Sequence, residues 1–311
     1  MSYLIVVDSC CELPDELYND PRFVRIPLEL SIGDYRIKDD DSFDQADFLE
    51  RVARSSECAR SACPTPEDFM DAYAGIRSSF NGGSRSDEDP AGSQKKDETP
   101  ITPDPDLSDI YVVTLSSKLS GSYNAALLAS QLYEEEYEDE YGPRNIHVID
   151  SKSAAAGETQ IALKLMEYAE AGMTFDEICT KIDSFRDSVK TYFVIDNLDT
   201  FIKNGRIKGL KAAVATTLSI KPILTGVEGE IQQIGQAIGM KKALMQMMNI
   251  IHSRHLNNES RQIIITHCNC YDRAKWVADS LSDITDAPVM IHNARGVSTT
   301  YANDGGVVVT I

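Results

Sequence analysis

"DIYVVTLSSKLSGSYNAALLAS", Asp109 to Ser130, passes from an apolar run through four serines, a lysine and a glycine into a helical pattern. Ile110 to Leu115 is nearly continuous in β-branched and apolar residues, the composition of a parallel strand buried on both faces. Ala125, Ala126, Leu127, Leu128 and Leu132 recur at helical spacing, so the pattern predicts a helix over Tyr123 to Tyr133 with Ser122 as its N-cap. Ser116, Ser117, Ser120 and Ser122 then occupy a strand-to-helix turn. Unpaired N–H groups and the positive end of the helix dipole favour an anion there, and Gly121 lets a ligand approach the backbone. Capping and turn formation account for any one of these serines alone. Four together point to a ligand.

The same plan of strand, polar turn and helix recurs on either side. Leu4 to Val7 is followed by "DSCCELPDELY", and Ile146 to Ile149 by "DSKSAAAGETQIALKLMEYAEAG". This alternation implies an α/β domain with a parallel sheet. Ligands collect at the carboxyl ends of such strands, so Asp8-Ser9 and Asp150-Ser151 are expected to converge on one edge with Ser117 and Ser120, Asp150 acting mainly as a cap. Phe80 to Asp109 is rich in Gly, Ser, Pro and charge and reads as a flexible surface insertion at about residues 81–107. After a helix from Thr174 the pattern changes. A hairpin is expected around Val227 to Gly229, then a helix at Met240 to His255, a strand at Gln262 to Thr266, a helix at Asp272 to Leu281, and strands at Pro288 to His292 and Gly306 to Ile311. The division is thus an N-terminal α/β domain, 1–189, and a C-terminal α+β domain, 190–311, with a ligand cleft between them.

Composition narrows the function. The net charge of -19, from 49 acidic and 30 basic residues, argues against nucleic acid or an anionic membrane surface as a partner. No run approaches the roughly 18 apolar residues of a spanning helix. The start, "MSYLIVVDSCCELPDE", lacks the basic flank and long apolar core of a secretory signal, so a cytoplasmic location is expected. Seven cysteines, with Cys10 and Cys11 adjacent, do not form a secreted disulfide framework and are expected to be free thiols. "HCNC", His267 to Cys270, has no second cluster to complete a zinc site and reads as a strand end.

The ordered motifs resemble the DegV family of two-domain bacterial proteins that bind long-chain fatty acids. A strand ending in Asp-Ser with a following Leu-Pro appears as "IVVDSCCELPDEL", the second motif as "SACPTPEDF" from Ser61, and the third, intact, as "SSKLSGSY". "VIDSKSAAAGE", "IDNLDTFIKNGRIKG" and "LSIKPIL" follow in family order. Two departures stand out. Ala62 removes a hydroxyl from the second motif. Tyr301, within "STTYANDGG", takes the place of the histidine in the family's closing His-Thr-Gly-Pro-Gly.

The resemblance implies an α/β domain of the DegV type with an α+β partner domain and a fatty acid such as palmitate, stearate or oleate between them. It implies no other cofactor and no catalysis by the chain itself. Some members are the substrate-binding subunit of a fatty acid kinase and present the carboxylate to a separate ATP-binding partner. By residue, it places Ser61, Ser120, Ser117 and Gly121 at the carboxylate with Arg206 and Tyr301, and Asp8, Ser9 and Thr65 as further candidates. A carboxylate in an apolar cavity needs such donors, since burial without them costs several kcal/mol. A different lipid or small carboxylate is the alternative ligand. A serine hydrolase is disfavoured because none of the five histidines lies in a Gly-x-Ser-x-Gly context, and phosphotransfer because no Walker-type loop is present.

Overall fold

The computed structural model describes residues 2–75, 107–207, 219–255 and 262–311. The insertion read at about 81–107 lies outside them except for Leu107. Four strands, β1 (Ser2–Asp8), β2 (Phe23–Ile26), β6 (Leu107–Thr114) and β7 (Asn145–Asp150), form a wholly parallel sheet in the order β2-β1-β6-β7. The unbroken apolar runs of β1 and β6 follow from covering both faces. Leu4, Val6, Ile110 and Val112 pack against Phe69, Tyr73, Ala126 and Tyr133 on one side. Ile5, Val7, Tyr111 and Val113 pack against Ile161, Leu165, Ile178 and Ile182 on the other.

Two local expectations change. Between β1 and β2 stands a single 3-10 turn, Asp15–Leu17, in place of the helix suggested by the strand-turn-helix plan. Pro14 and Pro21 bracket too few residues for one, and the residue before a proline is driven out of helical geometry. Ser122 is the first residue of the helix Ser122–Glu136, and Gly121 holds the N-cap position. Ser120 Oγ accepts the Ser122 N–H at 3.2 Å, satisfying that end of the helix one residue early.

A small antiparallel sheet, β4-β3-β5, built from β3 (Glu29–Ile32), β4 (Tyr35–Lys38) and β5 (Arg60–Ala62), carries Ser61. Later in the chain, β8 (Thr191–Val194), β9 (Ile220–Val227), β10 (Glu230–Ile238), β11 (Ile264–His267), β12 (Met290–Asn293) and β13 (Val307–Thr310) form a mixed sheet in the order β10-β9-β8-β13-β11-β12. Helices Met240–His255 and Tyr271–Leu281 cover one face of it through Tyr192, Val194, Ile223, Val307 and Val309. The opposite face presents Phe193, Leu224 and Val308. The hairpin between β9 and β10 turns at Glu228 and Gly229, both at positive φ, as a tight two-residue turn requires.

The helix Ala156–Glu170 lies against β1 and β6 of the first sheet and also β11 and β13 of the second, so its first seven residues are all buried. A second junction is polar. Asp39, fully buried, accepts the N–H groups of Gly296 (2.8 Å) and Val297 (2.9 Å), the start of the short helix Gly296–Ala302. A Cβ on Gly296 would stand 2.6 Å from the Asp39 carboxylate, which accounts for glycine there. Replacing Asp39 by Ala strands two buried donors and is expected to lower the unfolding free energy by about 3 kcal/mol, read by urea denaturation; Asp39→Asn, which keeps one acceptor, should lose about half of that.

Candidate functional site

A cavity of about 820 Å³, open mouth included, lies between the two halves. The first half contributes the carboxyl-end turns of its parallel sheet: Cys10 after β1, Leu115 and Leu119 after β6, and Lys152 to Ala155 after β7. This is the edge where the strand-end motifs were expected to converge. Two residues of that last turn, Lys152 and Ala155, hold positive φ (51° and 50°). Such backbone in non-glycine residues costs roughly 1–3 kcal/mol and persists where surrounding structure imposes it.

The second half contributes alternate residues of β8, Thr191 and Phe193, then Ile195 and Phe201, together with one face of the helix Gly296–Ala302. The wall is chiefly apolar. One group of polar side chains includes Tyr301. The Tyr301 hydroxyl is 3.2 Å from Ser61 Oγ, and its ring leans on Phe201 at a centroid distance of 4.9 Å. Ser298, one helical turn before Tyr301, is buried and also lines the cavity. Arg206 lines it too, held by backbone: Nε donates to the Leu119 carbonyl at 3.2 Å and Nη1 to that of Asn204. Among the described residues no carboxylate lies within ion-pair distance of Arg206. A chiefly apolar wall with two hydroxyls and a guanidinium suits an anionic amphiphile.

Of the residues read from sequence, Ser61, Arg206 and Tyr301 come together at this cavity. The others do not line it. Ser117 bonds through both its N–H and hydroxyl to Asp150. Ser120 Oγ meets Ser122 Oγ at 3.0 Å, while Gly121 lies against Cys63, two residues beyond Ser61. Asp8 accepts the N–H groups of Cys10 (3.1 Å) and Leu115 (2.8 Å) and so fixes the turns after β1 and β6. Ser9 accepts from the Leu28 N–H, and Thr65 caps the helix Pro66–Tyr73 in a capping box with Asp68. Ser116, the remaining serine of the quoted turn, donates to the Gly229 carbonyl in the hairpin. Sequence reading passed over Ser298, although "GVSTTY" after a strand repeats the grammar of the serine turn.

His267 ends β11 and accepts the Cys270 N–H on Nδ1, and His255 bonds to the Tyr192 hydroxyl.

The sequence profile of the DegV family, described as uncharacterised proteins, matches residues 2–81 and 105–311. The chain belongs to the DegV family. A DegV-family structure from Ruminococcus gnavus, solved with vaccenic acid, is 40% identical over 100% of both chains with a TM-score of 0.84. The fatty acid kinase (Fak) B3 protein of Streptococcus pneumoniae, loaded with linoleic acid, is 25% identical over 100% of this chain and 99% of its own, with a TM-score of 0.81. A DegV domain-containing protein of Streptococcus gordonii is 29% identical over 99% of this chain and 98% of its own. The α/β fold with a parallel sheet and added α+β elements is the fold of these DegV structures. Among the described residues no helix is long and apolar enough to cross a membrane.

Beside the cavity, Glu12 Oε1 accepts the Arg295 N–H at 2.9 Å. Burial, with the Asp39 charge adding to it, pushes the Glu12 carboxyl up from 4.5 to about 7, against the opposing effects of Ser298 and Arg295. The folded chain therefore keeps a proton there that the unfolded chain releases, so this group's contribution is full below the unfolded pKa and is lost as pH rises through the folded one. Over the window from 4.5 to about 7 the loss amounts to roughly 3 kcal/mol. Urea denaturation across that window should show this decline, and Glu12→Gln should flatten it.

Proposed function

We propose that the DegV chain binds a long-chain fatty acid in this cavity without altering it covalently, and presents its carboxylate to a separate ATP-dependent kinase. The observation that carries the reading is the convergence of Ser61, Tyr301 and Arg206 on a chiefly apolar cavity. The 40% identical relative solved with vaccenic acid supports it, and the Fak B3 relative supports the kinase. In this reading Ser61 and Tyr301 donate to the carboxylate and Arg206 supplies charge. Ser120 joins them by turning its hydroxyl from Ser122, since Gly121 and Cys63 bring its turn beside the Ser61 strand. The tail lies along Phe193, Ile195 and Leu119. The working division is residues 1–189 and 190–311, with the cavity at the seam.

The first test is native mass spectrometry of the purified chain, followed by denaturing extraction of any small molecule. A stoichiometric fatty acid is expected, with Ser61→Ala and Tyr301→Phe each weakening rebinding roughly tenfold. Each added methylene should contribute ~0.8 kcal/mol until the cavity is filled. A chain that takes up no long-chain acid, or shows no gain beyond short ones, would overturn the reading.

The kinase step is tested separately by adding an ATP-binding kinase subunit and ATP to the loaded chain and trapping acyl phosphate with hydroxylamine. Hydroxamate should form only when chain, kinase and ATP are all present. Product without the chain, or none with it, would exclude the presenting role.

A further inference from the structure

We propose that the end of the cavity remote from Tyr301 is built to receive an oxygen on the ligand tail, so that the chain takes hydroxy fatty acids as a substrate class; this rests on the fatty acid reading above. The wall there changes character. Phe193 of β8 meets Phe201, which leans on Tyr301, and Thr191 lies two residues farther along the strand, away from the carboxylate donors. At that end Ser153 Oγ and Thr191 Oγ1, both lining the cavity and both buried, lie 2.7 Å apart, and Thr191 Oγ1 lies 3.3 Å from Thr310 Oγ1.

Three hydroxyls supply three O–H donors, yet their chain contains two links. Among the described residues no further hydrogen bond reaches these three hydroxyls, so one donor is always left over. Thr310 is fully buried and does not line the cavity, so a spare proton there has nowhere to point. Directing the chain from Thr310 to Thr191 to Ser153 instead places the spare O–H on Ser153, facing the cavity. An apolar tail leaves that donor unmatched, while a tail hydroxyl or keto oxygen accepts it.

The space for this pair is made by Gly157, where a Cβ would stand 2.0 Å from Ser153 Oγ and 3.1 Å from Thr191 Oγ1. Thr191 is separated from Tyr301 by Phe193 and Phe201 along the wall, so the oxygen belongs on the distal part of the tail and not beside the carboxyl.

The test is calorimetric titration of the delipidated full-length chain with stearate and with its 2-, 10- and 12-hydroxy derivatives. The 10- or the 12-hydroxy acid is expected to bind at least as tightly as stearate. In a uniformly apolar tunnel its hydroxyl would instead cost tenfold or more. Ser153→Ala and, independently, Thr191→Val should each worsen the ratio of hydroxy acid to stearate by about tenfold, leaving the ratio for the 2-hydroxy acid unmoved. Stearate bound tenfold tighter than both distal hydroxy acids by the wild-type chain, or ratios unchanged in both variants, would overturn this inference and leave the fatty acid reading standing. Failure of every acid in the series to bind would remove both.

Discussion

The seam between the two halves depends on buried carboxyl groups meeting backbone N–H groups. A seven-residue helix such as Gly296–Ala302 does not hold together unaided. Asp39 takes its first two N–H groups, Glu12 takes the one before them, and Gln45 reaches the Ala294 carbonyl and the Thr299 hydroxyl. These acids belong to the first half of the chain and the helix to its last few residues. Desolvating a carboxylate is costly unless several donors surround it. The arrangement therefore fixes the helix position closely, and with it Ser298 and Tyr301. This polar part of the cavity is a product of that closure.

The two sheets have different tasks, which explains why the cavity lies where it does. The parallel sheet is covered by helices on both faces and turns its carboxyl edge toward the cavity. The mixed sheet is covered by helices on one face, and its other face supplies Phe193 and Val308 to the cavity. An edge of loops rich in hydroxyls thus faces a floor of apolar side chains, which is the polarity of a molecule with a charged head and a long tail.

Much of this was legible in the sequence wherever burial writes a period into it. The continuous runs of β1 and β6, the helix Met240–His255 and the turn at Glu228-Gly229 follow from apolar spacing and turn chemistry. The three-stranded sheet carrying Ser61 was not, because its strands are only three or four residues long and half exposed, too short for a period to register. The serine turn shows the same limit at the level of a site. Four hydroxyls in a strand-to-helix turn pointed to a ligand, while the residues of that turn that line the cavity are Leu115 and Leu119. Which of the hydroxyls face a ligand depends on partners more than thirty residues away: Asp150 for Ser117 and Gly229 for Ser116. Tyr301 and Arg206 were found through family motifs, whereas Ser298 had only its neighbours to announce it.

The helix Ala156–Glu170 carries a consequence of a different kind. It forms part of the hydrophobic core on the first sheet through Ile161, Ala162 and Leu165 and also packs against β11 and β13 of the second. A core element held in common couples the two sheets, so that loosening either exposes apolar surface on the other. The halves therefore share one melting cooperativity, and their recombination with halves from other proteins is restricted. Neither can be exchanged without a helix cut to fit both.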